Sequence, residues 1–126
     1  MSDKNYYSVP LSYLHIEETM RHAMNQMEDL TKDFAVTADE YGFAESAFKV
    51  AFAKNRLMAR VDGDYEGKKV TADLADDIAT VQTEAERIAM ESAKAKHDAT
   101  RQALMSVRSR LEALRSLMAS YRESGN

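Results

Sequence analysis

The chain has 126 residues, a net charge of −4 and few glycines and prolines, which is the size of one domain and the composition of long helices. It contains neither Cys nor Trp, which excludes disulfides, thiolate metal sites and cysteine nucleophiles. The charge balance supplies no overall pull towards nucleic acid or an anionic membrane, and no apolar run reaches the roughly 18 residues of a membrane span.

Residues 1–11 read as a short arm. Pro10 with Ser8 and Ser12 marks a helix start, Glu17 and Glu18 suit its first turns, and Tyr6, Tyr7 and Tyr13 supply apolar area for folding back on the helix end. The N-terminus lacks a signal-peptide layout, so the expected location is the cytoplasm.

The first helix is predicted from about Ser12 to about Val61. Met20, Met27, Phe34, Tyr41 and Phe48 step by seven, and Ala23, Leu30, Thr37, Ala44, Ala51 and Met58 fill the alternate positions, which is an apolar helical seam. Gly42 and the Thr-x-x-Glu capping pattern at Thr37–Glu40 both argue for a break. The seam keeps its register through them, so one continuous helix is expected, with Gly42 as a place for a bend or for close approach of another backbone. A second row, Val36, Phe43, Val50 and Leu57, also steps by seven on another side of the helix. A helix apolar on two sides needs cover on two sides.

Residues 62–70 hold the strong turn signal, Asp62-Gly63-Asp64. A second helix follows to about Arg122, with Thr71 as N-cap and Asp73, Asp76 and Asp77 in its first turns. Its seam is read as Leu74, Ile78, Val81, Ala85, Ile88, Ser92, Ala95 and Ala99, then Ala103, Val107, Leu111, Leu114, Met118 and Tyr121, with a slip between Ala99 and Leu111. Folding the chain at the turn sets Phe48, Tyr41 and Phe34 against the small-residue zone from Gln82 to Lys96, and the acid-rich stretch 15–45 against the basic stretch 94–122. Near the turn Lys49, Lys54, Arg56 and Arg60 face Asp73, Asp76, Asp77 and Glu84. The expected architecture is all-α: an extended, coiled-coil-like antiparallel hairpin forming one domain over residues 12–126. Its uncovered row, Val36, Phe43, Val50 and Leu57, is expected to join a second copy in a dimeric four-helix bundle or to receive a partner protein.

The chemistry on offer is thin. Asp62, Asp64, Glu66 and Asp73 resemble a calcium loop, but lysines occupy its seventh and eighth places and Asp replaces the bidentate Glu. An acidic hairpin turn explains them better. His15, Glu18 and His22 share a helix face but lack further ligands. No nucleophile triad or phosphate loop is present, so neither an enzyme nor a cofactor or metal site is expected. Lys94, Lys96, Arg101, Arg108 and Arg115 form the one candidate nucleic-acid surface. They face the acids of the first helix and lack aromatics for stacking on bases, which argues against direct binding.

Gly67-Lys68-Lys69-Val70-Thr71 with the following Ala72 to Ala79, the Ala-rich second helix, and the ending Leu114-Arg115-Ser116-Leu117-Met118-Ala119-Ser120 resemble small helical accessory proteins of tailed bacteriophages of actinobacteria. Those proteins tend to be encoded among replication and recombination genes. The resemblance implies an oligomeric adaptor in phage DNA replication or recombination, contacting a recombinase, helicase or single-strand-binding protein. The alternative class is a virion assembly chaperone or an antagonist of a host defence protein. It carries no catalytic residues over to this chain.

Overall fold

The computed structural model describes residues 12–124 and is all-α apart from one two-residue strand pair. Helix α1 spans Tyr13–Asp62, strands β1 (Asp64–Tyr65) and β2 (Lys68–Lys69) follow, and helices α2 (Ala72–Gln82) and α3 (Glu84–Ser124) complete the chain. The arm residues Tyr6, Tyr7, Ser8 and Pro10 lie outside the described residues. Tyr13 opens α1, close to the expected start at Ser12. Ser12 caps it: the His15 amide donates to Ser12 Oγ at 3.1 Å and the Ile16 amide to the Ser12 carbonyl at 3.0 Å.

α1 is uninterrupted at Thr37 and Gly42. The Thr37 hydroxyl does not cap; it bonds the Phe34 carbonyl of the preceding turn at 3.2 Å. A Cβ on Gly42 would meet nothing within 4 Å, so no backbone approaches there as the sequence reading had allowed. Gly42→Ala should therefore stabilise the chain by about 1 kcal/mol, the ordinary helix-propensity difference. Urea denaturation of the two proteins checks this, and an unchanged or lower midpoint would mean the glycine has a contact that this chain alone does not reveal.

The described residues form two compact units. The first holds α1 up to Asp33 and α3 from Arg101 onwards. Ile16, Ala23, Val107, Leu111 and Leu114 are its buried core, flanked by Met20, Met27, Leu30, Met118 and Tyr121. The segments run antiparallel here, since Tyr13 meets Tyr121 edge-to-face with ring centres 6.5 Å apart while Arg110 bonds the Gln26 amide oxygen at 2.6 Å.

The second unit spans Phe34 to Thr100. Its turn is a tight β-hairpin. Asp64 pairs with Lys69 and Tyr65 with Lys68, leaving Glu66 and Gly67 as a two-residue loop, both at positive φ (50° and 81°) as a type I′ turn requires. Val70 then tucks under the hairpin against Ala59, Ala75 and Ile78. Thr71 Oγ1 accepts the Leu74 amide at 3.2 Å, and Asp73 lies in the first turn of α2, as the N-cap reading expected.

The second helix departs from the sequence reading in two ways. It breaks at Thr83, a buried residue with φ −109° and ψ 22° whose hydroxyl bonds back to the Ala79 carbonyl at 2.6 Å. The Thr83 amide donates to the same carbonyl at 3.0 Å and the Arg87 amide to the Thr83 carbonyl at 3.0 Å, so the ladder runs through the break and only one residue leaves helical geometry. The inward positions are also different. Val81, Ala85, Ile88, Ser92, Ala95 and Ala99 are exposed, whereas Thr83, Met90, Ala93, His97 and Thr100 turn inward, followed in the first unit by Leu104, Val107 and Leu111 without any slip. The pairing register is close to the expected one: Phe34, expected to face the zone ending at Lys96, stacks on His97, and Thr37 bonds the same ring. On α1 the predicted seam is covered or half-covered except for Met58, which is exposed; Asn55 and Ala59 take over near the turn.

Candidate functional site

The most conspicuous surface feature of the second unit is the row predicted on α1. Val36, Phe43, Val50 and Leu57 retain 55%, 79%, 66% and 63% of their exposure. Their seven-residue spacing keeps them on one side of the helix, away from the seam occupied by Phe34, Thr37, Tyr41 and Phe48. Ser46, Ala47 and Ala51 lie beside Phe43, Val50 and Lys54 and form with them a shallow, open, mainly apolar depression. The Glu40–Lys96 ion pair, at 3.7 Å, identifies the flank of α3 adjoining this side. Ala89 and Ser92 are exposed on that flank within two turns of Lys96. Large apolar side chains at regular spacing are the kind of contiguous patch that marks a contact surface.

Beneath it lies an inward-facing polar group that the sequence reading missed. His97 Nδ1 is 2.9 Å from Thr37 Oγ1, and its ring stacks on Phe34 and Tyr41 at centroid distances of 4.6 and 6.2 Å. The signal for it was present: His97 keeps the seven-residue step with Met90, Leu104, Leu111 and Met118. Tyr41 also donates to Glu45 at 3.2 Å, and partial burial together with that carboxylate raises its hydroxyl above the ordinary tyrosine range. It stays protonated at neutral pH and offers no general base.

The Thr37–His97 pair is a structural device. Thr37→Val would leave the half-buried imidazole nitrogen without its partner and should cost about 1 kcal/mol. His97→Leu in that background removes the unpaired group and should recover most of the loss. Chemical denaturation of both singles and the double variant measures the coupling; strictly additive effects would show that the two side chains act independently.

The five candidate cations are not gathered as the sequence reading expected. In the second unit Lys96 reaches Glu40, but Lys94 pairs with Asp98 on its own helix at 3.6 Å. In the first unit Arg101, Arg108, Arg115 and Arg122 recur every seven residues along one side of α3. Arg101 and Arg122 have partners, and Arg108 and Arg115 form no ion pair among the described residues. Arg110 bonds an amide rather than a carboxylate. Near the turn, Arg56 bonds Asp76 at 2.5 Å, while Lys49 pairs with Glu45 of its own helix. Lys96 thus meets the expectation that acids of the first helix hold the basic face, through Glu40, whereas Lys94 does not.

Among the described residues no group of three or more His, Asp or Glu is placed to hold a metal ion. In the calcium-like stretch Asp64 is paired across the strands with Lys69, Glu66 sits at the turn tip, and Asp73 belongs to the first turn of α2. His15, Glu18 and His22 are exposed on α1. A cleft beneath the turn is lined by Asn55, Met58, Asp62, Asp64, Tyr65 and Gln82, among others, without a nucleophile beside a base. No described helix is long and apolar enough to cross a membrane. No protein-family model, curated protein or solved structure matches the chain.

Proposed function

We propose that the chain is a non-enzymatic, self-associating adaptor: an extended antiparallel helical hairpin that pairs with a second copy in a four-helix bundle and acts through protein contacts. The observation behind this reading is the exposed row Val36, Phe43, Val50 and Leu57, four apolar side chains that the chain's own fold leaves in water. Burying them removes apolar area from solvent at about 25 cal/mol per Å², which favours association. The setting suggested by the resemblance is phage DNA replication or recombination, with a recombinase, helicase or single-strand-binding protein as partner. A virion assembly chaperone or host-defence antagonist would use the same surface.

Capture from phage-infected cells, with the parent and a Phe43→Glu variant as bait, tests the assignment. Enrichment of a DNA-metabolism protein by the parent is the expected result. Enrichment of capsid or tail components, or of a host defence protein, would move the chain to the alternative class.

A second reading, direct nucleic-acid binding, is favoured by Arg108 and Arg115, which lack ion-pair partners among the described residues. Two such arginines neutralise few phosphates, and the same unit carries Glu17, Glu18, Glu28, Asp29 and Asp33. The expected outcome is weak or absent binding to single- and double-stranded DNA at physiological salt, with a salt slope of about −2 at most. Fluorescent-DNA titrations over a salt series measure it. Tight binding that Arg108→Glu and Arg115→Glu both weaken, with a shallower slope, would make this a DNA-binding protein in its own right.

A further inference from the structure

We infer that the exposed row of α1 meets the same row of a second copy, with the two α1 helices antiparallel about a two-fold axis beside Ser46 and Ala47. The inference rests on the self-association proposed above and adds which residues meet and in which orientation.

The row reads alike in both directions. Val36 and Leu57 lie at its ends, Phe43 and Val50 inside them, and its midpoint falls between Ser46 and Ala47. An antiparallel second copy therefore sets Phe43 against the partner's Val50 and Val36 against the partner's Leu57. Each apolar side chain in the row finds one opposite it. The depression formed by Phe43, Ser46, Ala47, Val50, Ala51 and Lys54 lies at that midpoint. Its floor is small side chains, so the bulky Phe43 ring of the partner has a recess to enter, large against small as close packing requires.

Charge selects the orientation. Glu40 and Lys54 lie on the same edge of the row, at equal sequence distance from Ala47. In the antiparallel arrangement each Glu40 meets the partner's Lys54, and the two-fold axis makes that pair twice. In a parallel two-fold arrangement this edge falls on opposite sides of the contact in the two copies, so Glu40 and the partner's Lys54 do not meet. Glu40 already reaches Lys96 at 3.7 Å, but a carboxylate has two oxygens and accepts both cations. On the adjoining flank of α3 the exposed Ala89 and Ser92 present no bulky side chain to obstruct the second copy. A two-fold contact also closes on itself and leaves no unmatched row, unlike a head-to-tail one.

Because the protein has no cysteine, one substitution introduces one thiol. Under mild oxidation Ser46→Cys and Ala47→Cys should each form a disulfide-linked dimer. Val36→Cys alone and Leu57→Cys alone should not, while their equimolar mixture should yield the cross-linked mixed dimer. Glu40→Lys and Lys54→Glu should each weaken dimerisation about tenfold, and the double variant should restore it. Self-linking of Val36→Cys would establish a parallel contact and overturn the inference. So would a dimer in sedimentation with no cross-link at any of these positions, which would leave self-association standing on another surface. A monomer at high protein concentration would overturn both.

Discussion

Leu111→Ala should destabilise the chain by about 3 kcal/mol, the cost of deleting a buried leucine's methyl groups and leaving their space unfilled. Leu111 keeps only 2% of its exposure and lies in the core cluster with Ile16, Ala23, Val107 and Leu114, near the half-buried Met20, Met27 and Met118. Two extended helical segments share few apolar layers, so each layer carries a large part of the total stability of some 5–15 kcal/mol. The flexible methionines can close part of the cavity, which holds the loss below the upper end of the range for such substitutions. Alanine's better helix propensity returns only a few tenths of a kcal/mol. The melting temperature should fall by about 10 °C, and Leu117→Ala, at a more exposed position of the same helix, should shift it far less. Equal shifts for the two variants would mean that this cluster is not the core.

The double variant Phe43→Glu with Val50→Glu should convert a dimer into a folded monomer. Both side chains are largely exposed within one copy, so the substitutions remove little intramolecular packing and the helical content should stay that of the parent. In a dimer joined along this row they would bury four carboxylates without partners, at several kcal/mol, which outweighs the apolar gain of the contact. Sedimentation equilibrium read beside circular dichroism separates the outcomes. Loss of the dimer with retained helix supports the proposed surface. Loss of helix would show that the row contributes to the fold of the single chain, and identical masses for parent and variant would remove the row from the association surface.

Much of the first helix was legible because its signals are local. From Ile16 to Ala51 the covered positions of α1 follow a seven-residue repeat, and an uninterrupted repeat of bulky side chains outweighs the roughly 1 kcal/mol that Gly42 opposes to it. Thr71 caps α2 because its hydroxyl reaches an amide three residues away, a property of the local stretch alone. The same spacing marked Val36, Phe43, Val50 and Leu57 as a separate row, and the fold leaves that row in water.

The second helix was less legible because side-chain polarity does not rank its positions correctly. Val81 and Ile88 look like core residues yet are exposed, while Thr83 and His97 face inward. Burying a polar group costs little once it is hydrogen-bonded. Thr83 satisfies its hydroxyl on the Ala79 carbonyl, and His97 finds Thr37 on α1. Neither position can be ranked without knowing its partner, and the partner of His97 lies 60 residues away in the chain.

What the amino-acid sequence determined by itself was therefore the helical class, the cap, the turn and the two apolar sides of α1, all of which follow from periodicity and hydrogen bonds within a few residues. Only the tertiary structure decided which side of α3 turns inward and, with it, that the His97 ring meets Phe34, Tyr41 and Thr37. The physical reason is that register between two helices depends on contacts made pairwise across the seam. Small residues such as Ala85, Ala93 and Ala99 fit several registers almost equally well, so specific packing and hydrogen bonding, here the His97 ring against Phe34, Tyr41 and Thr37, select one.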